Sequence, residues 1–261
     1  MFELERYLDR LGVERDATLA ELHSAHATSF TFEGLSAHLG EGVPLDADAL
    51  AAKLVDGGRG GYCFEQNLLF KAALEALGYE VEPFLARVRV GPAPGQVRGR
   101  THLVLRVGDS ERRWHADVGF GSGTLLEPIP WGPGAEHEQA GWRFRVVEAD
   151  GEHVLQTFDE GAWGDLYAFV PQPAPRIVIE MNNWWTATFP ESPFVSGFLV
   201  SRQWPDGRRL ILSDWGELAL VDRTPARTVA TPVARAQVPA LLAERFALEG
   251  FLLDERGRLR R

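Results

Sequence analysis

The hydrophobic period of this chain changes from helical to strand-like just after Gly78, and that change constrains the fold more than any other feature. Upstream, apolar residues recur at helical spacing: Leu4, Tyr7, Leu8 and Leu11 precede a stop at Gly12. Thr18 and Glu21 have the S/T-x-x-E spacing of a capping box, which opens a second helix. Asp46 can cap a third that carries Leu50 and Leu54 before Gly57-Gly58 ends it. A fourth follows Gly60-Gly61, with Phe64, Leu68, Leu69, Ala72 and Leu77 on its apolar side and Gly78 at its stop. The connections are short, so these helices form a bundle.

From Val81 the segments VEPFLARVRV, HLVLRV and RRWHADVGF are short, rich in β-branched and aromatic residues, and separated by Gly/Pro-rich stretches such as GPAPGQVRG. RFRVVEA and HVLQTF flank the turn signal Asp150-Gly151; WGDLYAFV follows, then the pair RRLILSD and ELALVD. The tail VPALLAERFALEG returns to helical period, with Val238, Leu241, Leu242 and Phe246 on one face, and is expected to pack back on the strands. Helices, then strands, then a strand-helix end make an α+β protein rather than an alternating βαβ one. PQPAPR, from Pro171 to Arg176, is the best boundary between the middle and last parts.

The charge narrows the partners. A formal net charge of -10 argues against binding along nucleic acid, which rewards a basic stripe, and favours a small-molecule substrate. An anionic ligand would still need local cations, and Arg87, Arg89, Arg98 and Arg100 lie close enough in sequence to supply them, unless they are a solvated strand edge. The chain has one cysteine, so no internal disulfide forms, and its N-terminus is acidic and amphipathic where a signal peptide would be basic then apolar. Charged residues interrupt every apolar stretch, which excludes a membrane span. A cytoplasmic location is expected.

Cys63 stands at the start of the fourth helix, where the positive dipole end and exposed N–H groups favour a thiolate. Arg59 four residues upstream adds positive charge, and Gly60-Gly61 lets the backbone approach a ligand. The alternative is an inert buried thiol. A cysteine nucleophile needs a base, and the base needs a third group to orient it. His102 and Asp117 lie on successive strands joined by VGDSERR, so a hairpin can bring them together; an edge-strand Asp117 facing water is the competing reading. His115 competes as base, being two residues from Asp117 and on the same strand face. Spacing alone leaves that choice open. His23 and His26 are three apart on a helix, but without a third ligand they read as packing or surface residues, and no metal is expected. Gly119 and Gly121 lack the full G-x-G-x-x-G of a Rossmann unit.

RGGYCFEQN from Arg59, RTHLVLRV from Arg100 and DVGFG from Asp117 together resemble, in order and spacing, the arylamine N-acetyltransferase family. FEGLSAHLG from Phe32 resembles that family's FENL segment, and NNWWTATFPESPF from Asn182 its N-W/Y-x-x-S/T-x-P-x-S-x-F segment, so the likeness covers nearly the whole chain. The resemblance implies a helical bundle over residues 1–80 carrying the nucleophile, a β-barrel over 81–175 carrying His and Asp, and an α/β lid over 176–261, around a cysteine-protease- or transglutaminase-like core. It implies Cys63, His102 and Asp117 as the triad, His102 rather than His115 as base, and acetyl-CoA as a donor substrate rather than a bound cofactor. The acceptors implied are arylamines, arylhydrazines and N-hydroxyarylamines, acetylated by a ping-pong cycle through acetyl-Cys63. Phe32 and Phe120 are implied as acceptor-pocket residues, and Thr101, Gly121 and Phe194 as coenzyme A contacts.

Two positions depart from the family pattern. Gly34 stands where FENL has Asn, which removes a side-chain hydrogen bond and is expected to loosen the loop; His115 puts a second titratable ring beside the triad. Three other readings compete. An amide synthase closing a macrolactam from a carrier-bound acyl chain shares the triad, although a carrier partner favours a basic docking patch. A cysteine hydrolase would use the same residues on an amide, and a binding protein would keep the fold without catalysis.

Overall fold

A computed structural model describes residues 2–91, 97–108 and 112–261. Helix α1 (Leu4–Leu11) buries Tyr7, Leu8 and Leu11 and stops at Gly12 in the left-handed region. Thr18 and Glu21 form the expected reciprocal capping box on α2 (Leu19–Ser29). A two-residue strand, β1 (Phe32–Glu33), leads into α3 (Leu35–Leu39). Asp46 caps α4 (Ala47–Ala51), which runs on into a π turn over Ala52–Asp56. Helix α5 (Cys63–Ala76) departs from the amphipathic reading, because Cys63 through Phe70 are all buried, including Glu65, Gln66 and Asn67. The first two turns of α5 therefore run through the core, while Glu75 and Ala76 near its end are exposed, and the polar residues of those buried turns must find partners inside the protein. Phe64, Leu69, Phe70 and Leu74 have no exposed surface, each contributing roughly 1.5–3 kcal/mol of apolar burial.

Eight antiparallel strands follow: β2 (Glu80–Val88), β3 (His102–Gly108), β4 (Arg113–Ala116), β5 (Ile129–Pro130), β6 (His137–Gln139), β7 (Trp142–Ala149), β8 (Glu152–Asp159) and β9 (Ala162–Phe169). They form one sheet in the order β5-β4-β3-β2-β9-β8-β7-β6. Its two edges approach each other: the Gln139 side chain at the end of β6 accepts from Leu126 N–H at 2.9 Å and donates to the Glu127 carbonyl at 2.7 Å, just before β5. The sheet is a nearly closed barrel around Phe84, Val104, Phe144, Leu155 and Phe169. The Asp150-Gly151 turn has φ of 52° and 75°, the double left-handed geometry of a tight hairpin. The expected segments GPAPGQVRG and VGDSERR lie partly outside the described residues, at 92–96 and 109–111.

The Pro171–Arg176 segment connects β9 to α6 (Arg176–Thr188), a helix the strand-and-turn reading did not anticipate; α7 (Pro193–Ser196) follows. Then come β10 (Leu199–Gln203), β11 (Arg209–Ser213), β12 (Ala219–Thr224) and β13 (Arg227–Pro232), next α8 (Val238–Phe246), and last the short pair β14 (Leu252–Leu253) and β15 (Leu259–Arg260). Here α8 packs on the sheet as expected, burying Val238, Leu242 and Phe246 against Phe198, Val200, Leu210 and Leu212. The sheet order is β1-β10-β11-β12-β13, so Phe32 pairs with Ser201 while also bridging Gly61 beside the start of α5. That pairing ties the C-terminal sheet to the turn before Cys63.

Candidate active site

Cys63 is the first residue of α5, 3% exposed, with its Sγ 3.5 Å from the Thr101 carbonyl oxygen. Thr101 immediately precedes β3, so His102 enters the sheet beside the sulfur. The His102 Nε2–H donates to Asp117 Oδ2 at 2.8 Å, which leaves Nδ1 as the ring nitrogen available to Cys63. Asp117 lies just beyond the last residue of β4 and is buried, not an edge residue facing water. Its Oδ1 accepts from Asn67 Nδ2 at 3.0 Å and from Gly119 N–H at 2.9 Å. Both carboxylate oxygens are hydrogen-bonded, which is the condition for burying a charge.

Asn67 closes the RGGYCFEQN motif but has no role in the sequence reading, and its placement follows from helix geometry. It is four residues after Cys63 and so lies on the same face of α5. Besides Asp117, its amide reaches the Leu103 carbonyl at 2.8 Å and accepts from Val118 N–H at 3.2 Å, joining the helix to β3 and to the loop after β4. Its spacing of four from Cys63 was the available signal. Gly119 lets the loop lie against the helix: a Cβ there would fall 3.0 Å from the Cys63 Cα.

Electrostatics follow from this packing. Burial alone would lower the His102 pKa, but the Asp117 charge and hydrogen bonds to Asp117 and Cys63 outweigh it and hold His102 up at about 10. Burial alone would raise Asp117, and the His102 charge with the His102, Asn67 and Gly119 hydrogen bonds brings it down to about 2. The two groups therefore form a charged pair across the neutral range.

His115 does not pair with Asp117. Its Nε2 meets the Tyr167 hydroxyl at 2.7 Å, and burial lowers its pKa to about 4, so it is neutral. Tyr167 is fully buried, its pKa raised by burial and by the negative charge of Asp117, and its ring packs 4.7 Å from that of His102. His23 and His26 are not surface residues either; both are fully buried and bonded to protein groups. Among the described residues no His, Cys, Asp and Glu grouping is arranged to hold a metal ion.

Arg59 differs from its expected role. Its guanidinium is buried against Glu33 at 2.8 Å and stacks over Phe251, so its charge is matched there rather than offered to Cys63. The loop at Gly34 keeps hydrogen bonds without an Asn side chain: Gly34 N–H donates to the Leu199 carbonyl, and Leu35 N–H to Glu33 Oε2 at 2.8 Å. The space an Asn side chain would take is filled by Phe194, whose Cδ1 is 2.3 Å from where a Gly34 Cβ would sit.

The remaining expected residues fall around this centre. The Phe120 ring stands edge-on to His102 at 4.9 Å, and Phe32 lies against Gly121, which adopts φ 72°. Phe194 on α7 contacts Phe32, Tyr62 and Trp215, with ring centroids 6.2, 5.3 and 5.1 Å away. Among the four arginines, Arg89 sits between Asp165 and Glu152, and Arg87 and Arg100 each reach within 3.9 Å of Glu152. Arg98 donates instead to the Val90 carbonyl. Among the described residues no helix is long and apolar enough to cross a membrane.

Comparison with known proteins gives a consistent answer. A family model described as N-acetyltransferase matches residues 17–250. An arylamine N-acetyltransferase of Mycolicibacterium smegmatis is 39% identical over 217 residues, covering 79% of this chain and 78% of its own. Another, from Mycobacterium bovis, is 35% identical over 269 residues, covering 98% and 93%. The solved structure of Mycobacterium marinum arylamine N-acetyltransferase in complex with CoA superposes with a TM-score of 0.88 at 32% identity, covering 94% of this chain and 93% of that one.

Proposed function

Because the chain belongs to the arylamine N-acetyltransferase family, we propose that Cys63, His102 and Asp117 pass an acetyl group from acetyl-CoA to an aromatic amine through an acetyl-Cys63 intermediate. The observation that carries this reading is the buried His102–Asp117 pair at 2.8 Å, with the Cys63 sulfur beside the His102 strand. A protonated His102 is the positive partner that a Cys63 thiolate needs.

In the first half-reaction the Cys63 sulfur attacks the thioester carbonyl, a C–S bond forms, and the oxyanion is met by backbone N–H groups at the start of α5. The tetrahedral adduct collapses, the bond to coenzyme A breaks, and the leaving thiolate takes the proton from His102. In the second half-reaction the amine nitrogen attacks acetyl-Cys63 while His102 accepts its proton. Collapse releases the amide and restores the thiolate beside protonated His102. Asp117 keeps its charge throughout and holds the ring.

Phe32 and Phe120 form the acceptor pocket in this proposal, and Thr101, Gly121 and Phe194 meet coenzyme A. Arylamines, arylhydrazines and N-hydroxyarylamines are the acceptor class. The division into residues 1–80, 81–175 and 176–261 belongs to the same reading, as does a cytoplasmic setting, which suits a nucleophile that must stay reduced.

Initial rates with acetyl-CoA and a simple arylamine, each varied at several levels of the other, test the cycle. Parallel double-reciprocal lines are expected. Intersecting lines would replace the covalent cycle with direct transfer, and no turnover of free acetyl-CoA would favour the carrier-dependent amide synthase.

A further inference from the structure

Asp117 lies one residue past the end of β4, whose last paired residue, Ala116, faces Leu105. Its backbone N–H is therefore outside the sheet ladder, yet fully enclosed. The Nε2 of His23, on α2, accepts that N–H at 3.1 Å. The other ring nitrogen, Nδ1, donates to the Leu126 carbonyl at 3.2 Å. One imidazole thus bridges the two ends of the loop 117–126, which carries the triad carboxylate, Gly119 and Phe120. The ring has no exposed surface and is held edge-on by Phe70 at 5.6 Å. Burial lowers its pKa to about 4, so it is neutral at neutral pH, as an Nε2 acceptor must be.

We propose that His23 is a positioning residue for the reaction, fixing the backbone of Asp117 so that its carboxylate stays aimed at His102. The proposal rests on the triad reading above. Asn67 and Gly119 fix Oδ1, His102 takes Oδ2, and Asn67 also accepts from Val118 N–H on the far side of Asp117, whereas His23 holds the backbone N–H of Asp117 itself. A displacement of about 1 Å in such a group lowers rates by up to about a hundredfold. His23 touches no reacting atom and acts only through Asp117.

Three full-length variants separate its two hydrogen bonds. In His23→Gln the longer amide reaches the Nε2 position and keeps an acceptor for Asp117 N–H. In His23→Asn the shorter amide reaches only the Nδ1 position, and His23→Leu removes both. The readouts are the pH dependence of Cys63 alkylation by iodoacetamide, kcat, and KM for acetyl-CoA. We expect His23→Gln to keep the wild-type alkylation profile. His23→Asn and His23→Leu should lose at least about tenfold in kcat with KM for acetyl-CoA little changed, and their profiles should move toward that of a free thiol. Folded Asn and Leu variants with wild-type profiles and kcat would reduce His23 to packing and overturn the inference. Independently of folding, 15N NMR of histidine-labelled wild type should report an Nδ1–H, Nε2-acceptor tautomer for His23; an Nε2–H tautomer would also overturn it. If wild-type Cys63 itself alkylates like a free thiol, the triad reading has failed, and that outcome is distinct from both.

Discussion

His102 and Asp117 meet at 2.8 Å in a site where neither side chain is more than 2% exposed. In that setting the Asp117 charge is the main favourable influence holding the proton on His102.

Asp117→Asn should keep the packing, since an amide can still meet Asn67 and Gly119 through its oxygen, but removes the charge. Transfer to an arylamine should fall by roughly 10⁴, the loss seen when a buried triad carboxylate is neutralised. Steady-state kinetics with thermal melts check this; a loss under tenfold in a folded variant would show that the charge is not used.

Stability should peak near pH 6.5. Burial depresses His23 and His115 to about 4 and His26 to about 3, so below 6.5 the unfolded chain binds protons that the folded one refuses. Each histidine lowers stability by up to about 1.4 kcal/mol per pH unit as pH falls through that range. His102 runs the other way: raised to about 10, its contribution is complete below 6.5 and is lost as pH rises through 10. Asp117, near 2, contributes above 3.8 and loses that contribution as pH falls through 2. Urea denaturation across pH 4–9 checks the peak, and a stability that keeps rising from pH 7 to 9 would contradict it.

Gly34→Ala should destabilise the fold by about 1–3 kcal/mol, because its Cβ would lie 2.3 Å from Phe194 Cδ1. In Phe194→Ala the same substitution should be nearly neutral. A double-mutant cycle by chemical denaturation reads the coupling, and additive effects would show that the two positions do not share that space.

Arg209 is buried on β11, its guanidinium 4.1 Å over the Trp142 ring and donating to the Ser122 and Thr124 carbonyls at 2.9 and 3.2 Å. Burial, then the nearby Arg223 charge, lowers its pKa to about 9, and it remains a cation at neutral pH. Arg209→Met should leave both carbonyls unpaired and lower stability by about 1–3 kcal/mol, read as a shifted urea midpoint. An unchanged midpoint would mean that the loop satisfies itself.

The helices before Gly78 other than the short α3 were legible because their signals are local: the Thr18–Glu21 box, the Asp46 cap and the stop at Gly12 act within a turn of the residues that encode them. Helix α6 was not legible, since its NNWWTAT segment combines residues of modest helix propensity behind a proline-rich stretch, and tertiary packing of Ile179, Asn183, Thr186 and Ala187 decides it. The two-residue β1 is made by distant partners, β10 and the bridge to Gly61. Within the site, Cys63, His102 and Asp117 could be named from motifs, whereas their supports could not. His23 and Asp117 are 94 positions apart, and His115 and Tyr167 are 52 apart, so no local pattern joins them.

The covalent intermediate is the centre of the account, and intact mass spectrometry tests it most directly. The protein is mixed with acetyl-CoA alone, then with an arylamine added, and Cys63→Ala is treated in parallel. One acetyl adduct is expected, which requires Cys63 and disappears as acetylated amine appears. No adduct on the wild type under conditions where the amine is acetylated would contradict it, and an adduct that clears by hydrolysis without transfer would assign the fold to a hydrolase instead.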